Sequence, residues 1–166
     1  MISVLSIVHD TMVDGPGFRT SIYCAGCPNH CPECHNPQSW DINHGTMTST
    51  EEIMKEIMDD PFANVTFSGG DPMFQPEEFT ELARAIKEKS QKNIWCYTGY
   101  QFEKLLQNPK QAALLQYIDV LVDGKFKQAL HDESLLFRGS SNQRLIDVKK
   151  SLKENKVVFY NYNPFI

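Results

Sequence analysis

The spacing of apolar and polar residues along the chain switches repeatedly between a strand-like and a helix-like period. Residues 1–9 alternate loosely, Ile2, Val4, Ser6 and Val8 against Ser3, Leu5 and Ile7, which predicts a short strand. Phe18 to Tyr23 predicts a second. Ile53, Met54, Ile57 and Met58 then recur at helical spacing. Ahead of them Thr48 with Glu51, or Ser49 with Glu52, can form a capping box, and Asp59-Asp60-Pro61 closes the helix. Asn64 to Ser68 reads as a strand. Pro76 suits the first turn of a helix whose apolar side is Phe79, Leu82, Ala83 and Ile86. Asn93 to Tyr97 is the next strand, followed by one helical stretch carrying Phe102, Leu105, Leu106, Ala113, Leu114 and Leu115. Ile118 to Asp123 is a further strand. Arg144 to Val148 and Val157 to Tyr160 read as two last strands joined by a lysine-rich turn or short helix.

Strand and helix in alternation are the signature of repeated βαβ units, which give a parallel sheet with right-handed crossovers. About half the strands of a complete eight-fold barrel are present. The expected fold class is therefore α/β, an open partial (β/α) barrel of mostly parallel strands with outer helices, built as a single domain over residues 1–166.

Composition narrows the function without choosing it. A hydrophobic fraction of 41% and a charged fraction of 22% are ordinary for a globular protein. The net charge of −5, with no run of lysines or arginines, argues against nucleic-acid binding. The first residues lack the basic start of a signal peptide, and no apolar run approaches the ~20 residues that span a bilayer. These features predict a cytoplasmic protein with no membrane contact, where thiols stay reduced and disulfides are rare.

Against that background the cysteines stand out. Four of the five, Cys24, Cys27, Cys31 and Cys34, fall within eleven residues directly after the second predicted strand. A zinc ribbon separates its two Cys-x-x-Cys pairs by many residues, and here only Pro28, Asn29 and His30 intervene. Two iron–sulfur arrangements remain. Four thiolates would close every iron and leave electron transfer; Cys27, Cys31 and Cys34 alone would leave one iron open, as a catalytic metal site requires. Every later parallel strand also ends in a distinctive loop: Gly69-Gly70-Asp71-Pro72, Tyr97-Thr98-Gly99 and Asp123-Gly124-Lys125. Parallel strands would gather these loops and the cysteines on one rim.

Cys-x-x-x-Cys-x-x-Cys after a strand resembles the radical S-adenosylmethionine superfamily. Asp14-Gly15-Pro16-Gly17-Phe18-Arg19 upstream and Cys34-His35-Asn36-Pro37-x-x-Trp40 downstream resemble the glycyl-radical-enzyme activases within it. Tyr97-Thr98-Gly99-Tyr100, the stretch Asp119 to Phe126 and Arg138-Gly139-Ser140-Ser141-Asn142-Gln143-Arg144 are similar to the branch that acts on anaerobic ribonucleoside-triphosphate reductase. The resemblance implies a 4Fe–4S cluster on Cys27, Cys31 and Cys34, with S-adenosylmethionine chelating the open iron. It implies that Ser68, Gly69, Gly70 and Asp71 meet the ligand's amine, that backbone at Glu33, Cys34 and His35 lies against adenine, and that Thr98, Asp123 and Lys125 contact ribose or carboxylate. Glu33 stands where the superfamily often has an aromatic residue. Asp14, Gly15, Pro16, Gly17 and Arg19 become the loop that meets the partner reductase, and reduced flavodoxin the electron donor. Kept beside this reading are an activase of another glycyl radical enzyme, such as pyruvate formate-lyase, a small-molecule radical enzyme, and a closed four-cysteine electron carrier that would need Cys24.

Overall fold

The structure, a computed structural model, describes residues 1–32, 34 and 37–162. Seven strands form one open sheet in the order β3-β1-β2-β4-β5-β6-β7. They are β1 (Ile2–Thr11), β2 (Arg19–Cys24), β3 (Thr46–Thr48), β4 (Asn64–Gly69), β5 (Ile94–Tyr97), β6 (Val120–Asp123) and β7 (Arg144–Asp147). β2, β4, β5 and β6 are paired in parallel. β1 is antiparallel to β2, β3 to β1, and β7 to β6, so five of the seven strands share one direction.

The helices are α1 (Thr50–Asp59), α2 (Pro76–Lys89), α3 (Phe102–Leu105), α4 (Pro109–Leu115) and α5 (Val148–Glu154). Ser49 closes the reciprocal capping box with Glu52 at the start of α1, and Pro76 opens α2. The predicted single helix over 102–115 is two. Asn108 accepts from the N–H groups of Lys110 and Gln111 and restarts the chain at Pro109, whose ring cannot continue a helix from the preceding turn. Two strand assignments also change. β3, short and with a single apolar residue, Met47, pairs with the edge of β1; Val157 to Tyr160 makes only a bridge between Phe159 and Ile146.

Alternation along each strand divides the sheet into two unlike faces. Ile22, Val65, Phe67, Ile94, Cys96, Leu121 and Ile146 point into a core shared with Ile53, Ile57, Phe79, Leu82, Ile86, Leu105 and Leu114 from the helices. On the opposite face β5, β6 and β7 place Trp95, Tyr97, Val120, Val122 and Leu145, covered by Phe137 and Tyr160. β2 and β4 place polar Arg19, Ser21 and Thr66 there, all fully buried. The expected mixed α/β sheet, open at both edges, is present. Closure toward a barrel is not part of what the pairing describes.

Candidate functional site

Parallel pairing does gather the four loops at one end. Gly69 is in register with Cys24, and Tyr97 with Val122, so the chain leaves β2, β4, β5 and β6 on a common rim. The cysteine loop is fixed there by backbone bonds. Ala25 N–H donates to Ser3 O at 2.9 Å, Gly26 N–H to Ser39 O at 2.7 Å and Cys27 N–H to Trp40 O at 3.1 Å. Gly70 N–H donates to Cys24 O at 2.7 Å, and Asp71 N–H to Gly26 O at 2.8 Å. Such proximity explains both glycines after β4. A Cβ on Gly69, whose φ is +99°, would lie 2.4 Å from Cys24 N, and one on Gly70 2.5 Å from Gly26 O. The indole of Trp40 stacks on the His30 ring at 4.6 Å and braces the loop from outside.

Cys27, Cys31 and Cys34 line a cavity of about 150 Å³ together with Ser68, Gly69, Gly70, Thr98, Gly99 and Gly124. Cys24 is fully buried in the helix-side core and does not line it. All five cysteines are free thiols. Burial pushes the thiols of Cys27 and Cys31 up from the ordinary value, and local donors pull against it. Backbone N–H groups of Asn29 and His30 and the Asn29 side chain serve Cys27; the Phe126 N–H and the charge of Lys125 serve Cys31. Cys24 and Cys96 are raised well above, chiefly by burial and then by the Asp71 charge; at Cys24 its own N–H and that of Gly70 pull only partly against this. The donors at Cys27 and Cys31 face the cavity, where a thiolate ligand needs them. Among the described residues no cysteine, histidine or carboxylate trio is gathered closely enough for a single metal ion. Three soft thiolates spread around one hollow fit an iron–sulfur cluster in donor chemistry.

The other predicted contacts divide. Ser68, Gly69, Gly70 and Thr98 line the thiol cavity. Asp71, 1% exposed, is filled from within. Its Oδ2 accepts from Asn29 Nδ2 at 2.9 Å, Thr98 Oγ1 at 3.0 Å and Gly99 N–H at 2.9 Å, and its Oδ1 accepts from Met73 N–H at 3.0 Å. Burial raises this carboxyl to about 6 against the pull of those donors. Asp123 is likewise occupied: Arg144 Nε and Nη2 reach it at 2.9 and 2.5 Å, and Phe102 N–H at 2.8 Å. Lys125 is exposed and lines a second cavity of about 460 Å³ with Lys104, Lys127 and Arg144. The two cavities share Asn29, Gly99 and Gly124. Glu33 and His35 lie outside the described residues.

The loop Asp14 to Gly17 precedes β2 and therefore lies at the end opposite the thiols. Arg19 does not face outward with it. Expected in the partner loop, it is fully buried and binds four neutral acceptors: Thr66 Oγ1 at 2.7 Å, Pro16 O at 3.1 Å, Val65 O at 2.7 Å and Asn93 Oδ1 at 2.6 Å. Its guanidinium also sits 5.5 Å from the Trp95 ring centroid. Burial lowers its pKa to about 10, so it remains charged at neutral pH. Arg19 is the anchor of the loop. Asp14 turns back along the open face and accepts from Tyr23 Oη and from Ser21 Oγ. A groove of about 420 Å³ begins there, between Met12, Val13 and Asp14 on one side and Leu135 to Gly139 on the other. Tyr97 lines both this groove and the thiol cavity. Sequence reading placed Tyr97 in a rim motif without a contact of its own, and passed over Asn29 as a spacer between cysteines.

A family profile described as a 4Fe-4S single cluster domain matches residues 13–146. The chain is 37% identical over 141 residues to the anaerobic ribonucleoside-triphosphate reductase-activating protein of Escherichia coli K12, covering 80% of this chain and 90% of that protein. It is 36% identical over 139 residues to the protein of the same name from bacteriophage T4, covering 80% and 86%. The Vibrio cholerae counterpart is 38% identical over 141 residues, covering 80% and 89%.

Proposed function

This chain belongs to the anaerobic ribonucleoside-triphosphate reductase-activating proteins, and we propose a division of its residues among the steps of that activity. It is an activase that uses a 4Fe–4S cluster and S-adenosylmethionine to place a glycyl radical on the reductase. Held by Cys27, Cys31 and Cys34, a 4Fe–4S cluster would supply one electron for cleavage of the S–C5′ bond of S-adenosylmethionine, releasing methionine and leaving a 5′-deoxyadenosyl radical that would take a hydrogen atom from a glycine Cα of the reductase. The chain's own part is to hold, orient and shield.

Cys27, Cys31 and Cys34 hold the cluster. The observation that carries this assignment is the cavity they share with Ser68 to Gly70, from which Cys24 is turned away into the core. Glycine at 69 and 70 leaves the β4 end bare of side chains beside the thiols, which suits close approach of a ligand amine. Thr98 stands next to them, and Lys125 offers a cation to the ligand's carboxylate from the larger cavity. Asp14, with Met12 and Val13, lines one wall of the groove by which the glycine segment of the reductase reaches Tyr97, and Gly15, Pro16 and Gly17 continue the same partner-facing loop. A flavodoxin-like carrier delivers the electron. The protein works in the cytoplasm without nucleic acid or lipid. Its free thiols support this setting, and no helix among the described residues is long and apolar enough to cross a membrane.

The test is anaerobic reconstitution of the wild-type chain and a Cys24→Ala variant, followed by S-adenosylmethionine, reductant and reductase. Both are expected to take up the cluster and to give a glycyl-radical doublet on the reductase by electron paramagnetic resonance. Collapse of the cluster in Cys24→Ala would favour the closed electron carrier. Release of 5′-deoxyadenosine with no radical on the reductase would point to another substrate.

A further inference from the structure

Asn29 touches more of the rim than any motif assigns to it. Its side-chain nitrogen lies 2.9 Å from Asp71 Oδ2 and 3.7 Å from Cys27 Sγ, so the two amide hydrogens have separate acceptors, a carboxylate and a sulfur. Rotation away is opposed on the carboxylate side, because Asp71 is itself immobile. Four donors converge on its two oxygens, and only an ionised carboxylate, an acceptor throughout, satisfies all four. Gly99 closes the other side: a Cβ there would lie 2.5 Å from Asn29 Nδ2. The amide is therefore held in one orientation by the ends of β4 and β5. It joins the backbone N–H groups of Asn29 and His30 around the Cys27 sulfur.

We propose that Asn29 is a positioning residue whose amide, locked by Asp71, donates to the Cys27 sulfur and raises the reduction potential of the cluster that this sulfur carries. The inference rests on the cluster assignment made above. A hydrogen bond to a ligand sulfur stabilises the more negative, reduced state, and such bonds are among the determinants of iron–sulfur potentials. Asp71 thereby acquires a role different from binding the amine of S-adenosylmethionine, since that would require one of its four donors to be released. Its position beside the Gly69-Gly70 pair reflects the tie it makes between the cysteine loop and the neighbouring strand ends.

Two variants reach the amide by different routes. Asn29→Ala removes it. Gly99→Ala leaves it in the chain but occupies its place, and the atoms a new Cβ would meet all belong to the Asn29 side chain, which can swing aside. The measurement is a redox titration of the anaerobically reconstituted proteins without S-adenosylmethionine, followed by the reduced-cluster resonance. Both midpoints are expected to move to more negative potential. At a fixed donor potential the reduced-to-oxidised ratio should fall by up to tenfold, about 59 mV for one electron. The double variant should move no further than Asn29→Ala alone, because the new Cβ then has nothing left to displace. An unmoved midpoint in either single variant, or additive shifts in the double, overturns the proposal. A wild-type chain that takes up no cluster would instead remove the function proposed above.

Discussion

The two ends of β2 and β4 are each organised by one buried ion that forms no salt bridge with another described residue. At the thiol end Asp71 collects four donors; at the far end Arg19 collects four acceptors. Both are almost fully enclosed. Each does with directional hydrogen bonds what the helix-side face does with packing, but an ion can also hold loops that have no apolar residue to bury. Asp71 joins three rim segments, and Arg19 joins the Asp14 to Gly17 loop to β4 and β5. The difference lies in what each leaves open. The anion sits beside thiols that face a cavity, whereas the cation is sealed beneath Trp95 and serves geometry alone.

Removing the cation should have the largest effect on stability. Arg19→Met strands several buried acceptors, partly offset by the relieved cost of burying a charge, and is expected to lower unfolding free energy by about 3 kcal/mol. Urea denaturation measures it. Iron uptake at the other end should persist in the folded fraction, and its loss would show that the two ends are coupled. Asp71→Asn keeps the shape yet turns one oxygen into a donor, so at least one converging donor loses its acceptor, for about 2 kcal/mol. The same variant isolates a pH effect. Burial raises the folded Asp71 above its ordinary value of 3.8 to about 6. Between those values the folded chain keeps a proton that the unfolded chain releases, so this group's contribution to stability falls as pH rises from about 4 to 6 and is level above. The slope is at most about 1.4 kcal/mol per pH unit. Denaturation over that window should show it in the wild type and not in Asp71→Asn.

How far each end was legible follows from the same contrast. The parallel direction of β2, β4, β5 and β6 follows from the alternation of strand and helix periods, and a parallel sheet puts the loop ends together without further information. Asp71 and the cysteines stand inside recognisable motifs, so their meeting at one rim could be read before the contacts that each makes there. Arg19 was grouped with the partner loop on the strength of its motif, and a motif says nothing of the burial the structure gives it. Its acceptors, Thr66, Val65 and Asn93, are distant in sequence and show no periodicity pointing back to it. Asn29 carried no signal for the same reason: Cys27 is its neighbour, but Asp71 and Gly99, which fix its amide, come from loops distant in sequence. The break at Asn108-Pro109 was visible as a cap followed by a first-turn proline, and the apolar spacing across it concealed it.

The backbone bonds from Ala25, Gly26 and Cys27 to Ser3, Ser39 and Trp40 bear on how the protein survives air. They belong to the folded chain, so oxygen that strips iron and sulfide leaves a seat already in place, with little chain entropy to be lost again. Damage then falls on a replaceable inorganic part. A sample bleached in air is expected to regain its visible absorbance with iron, sulfide and a thiol reductant while its far-ultraviolet circular dichroism stays constant throughout; a dichroism that falls with the colour would mean that the seat unravels when emptied.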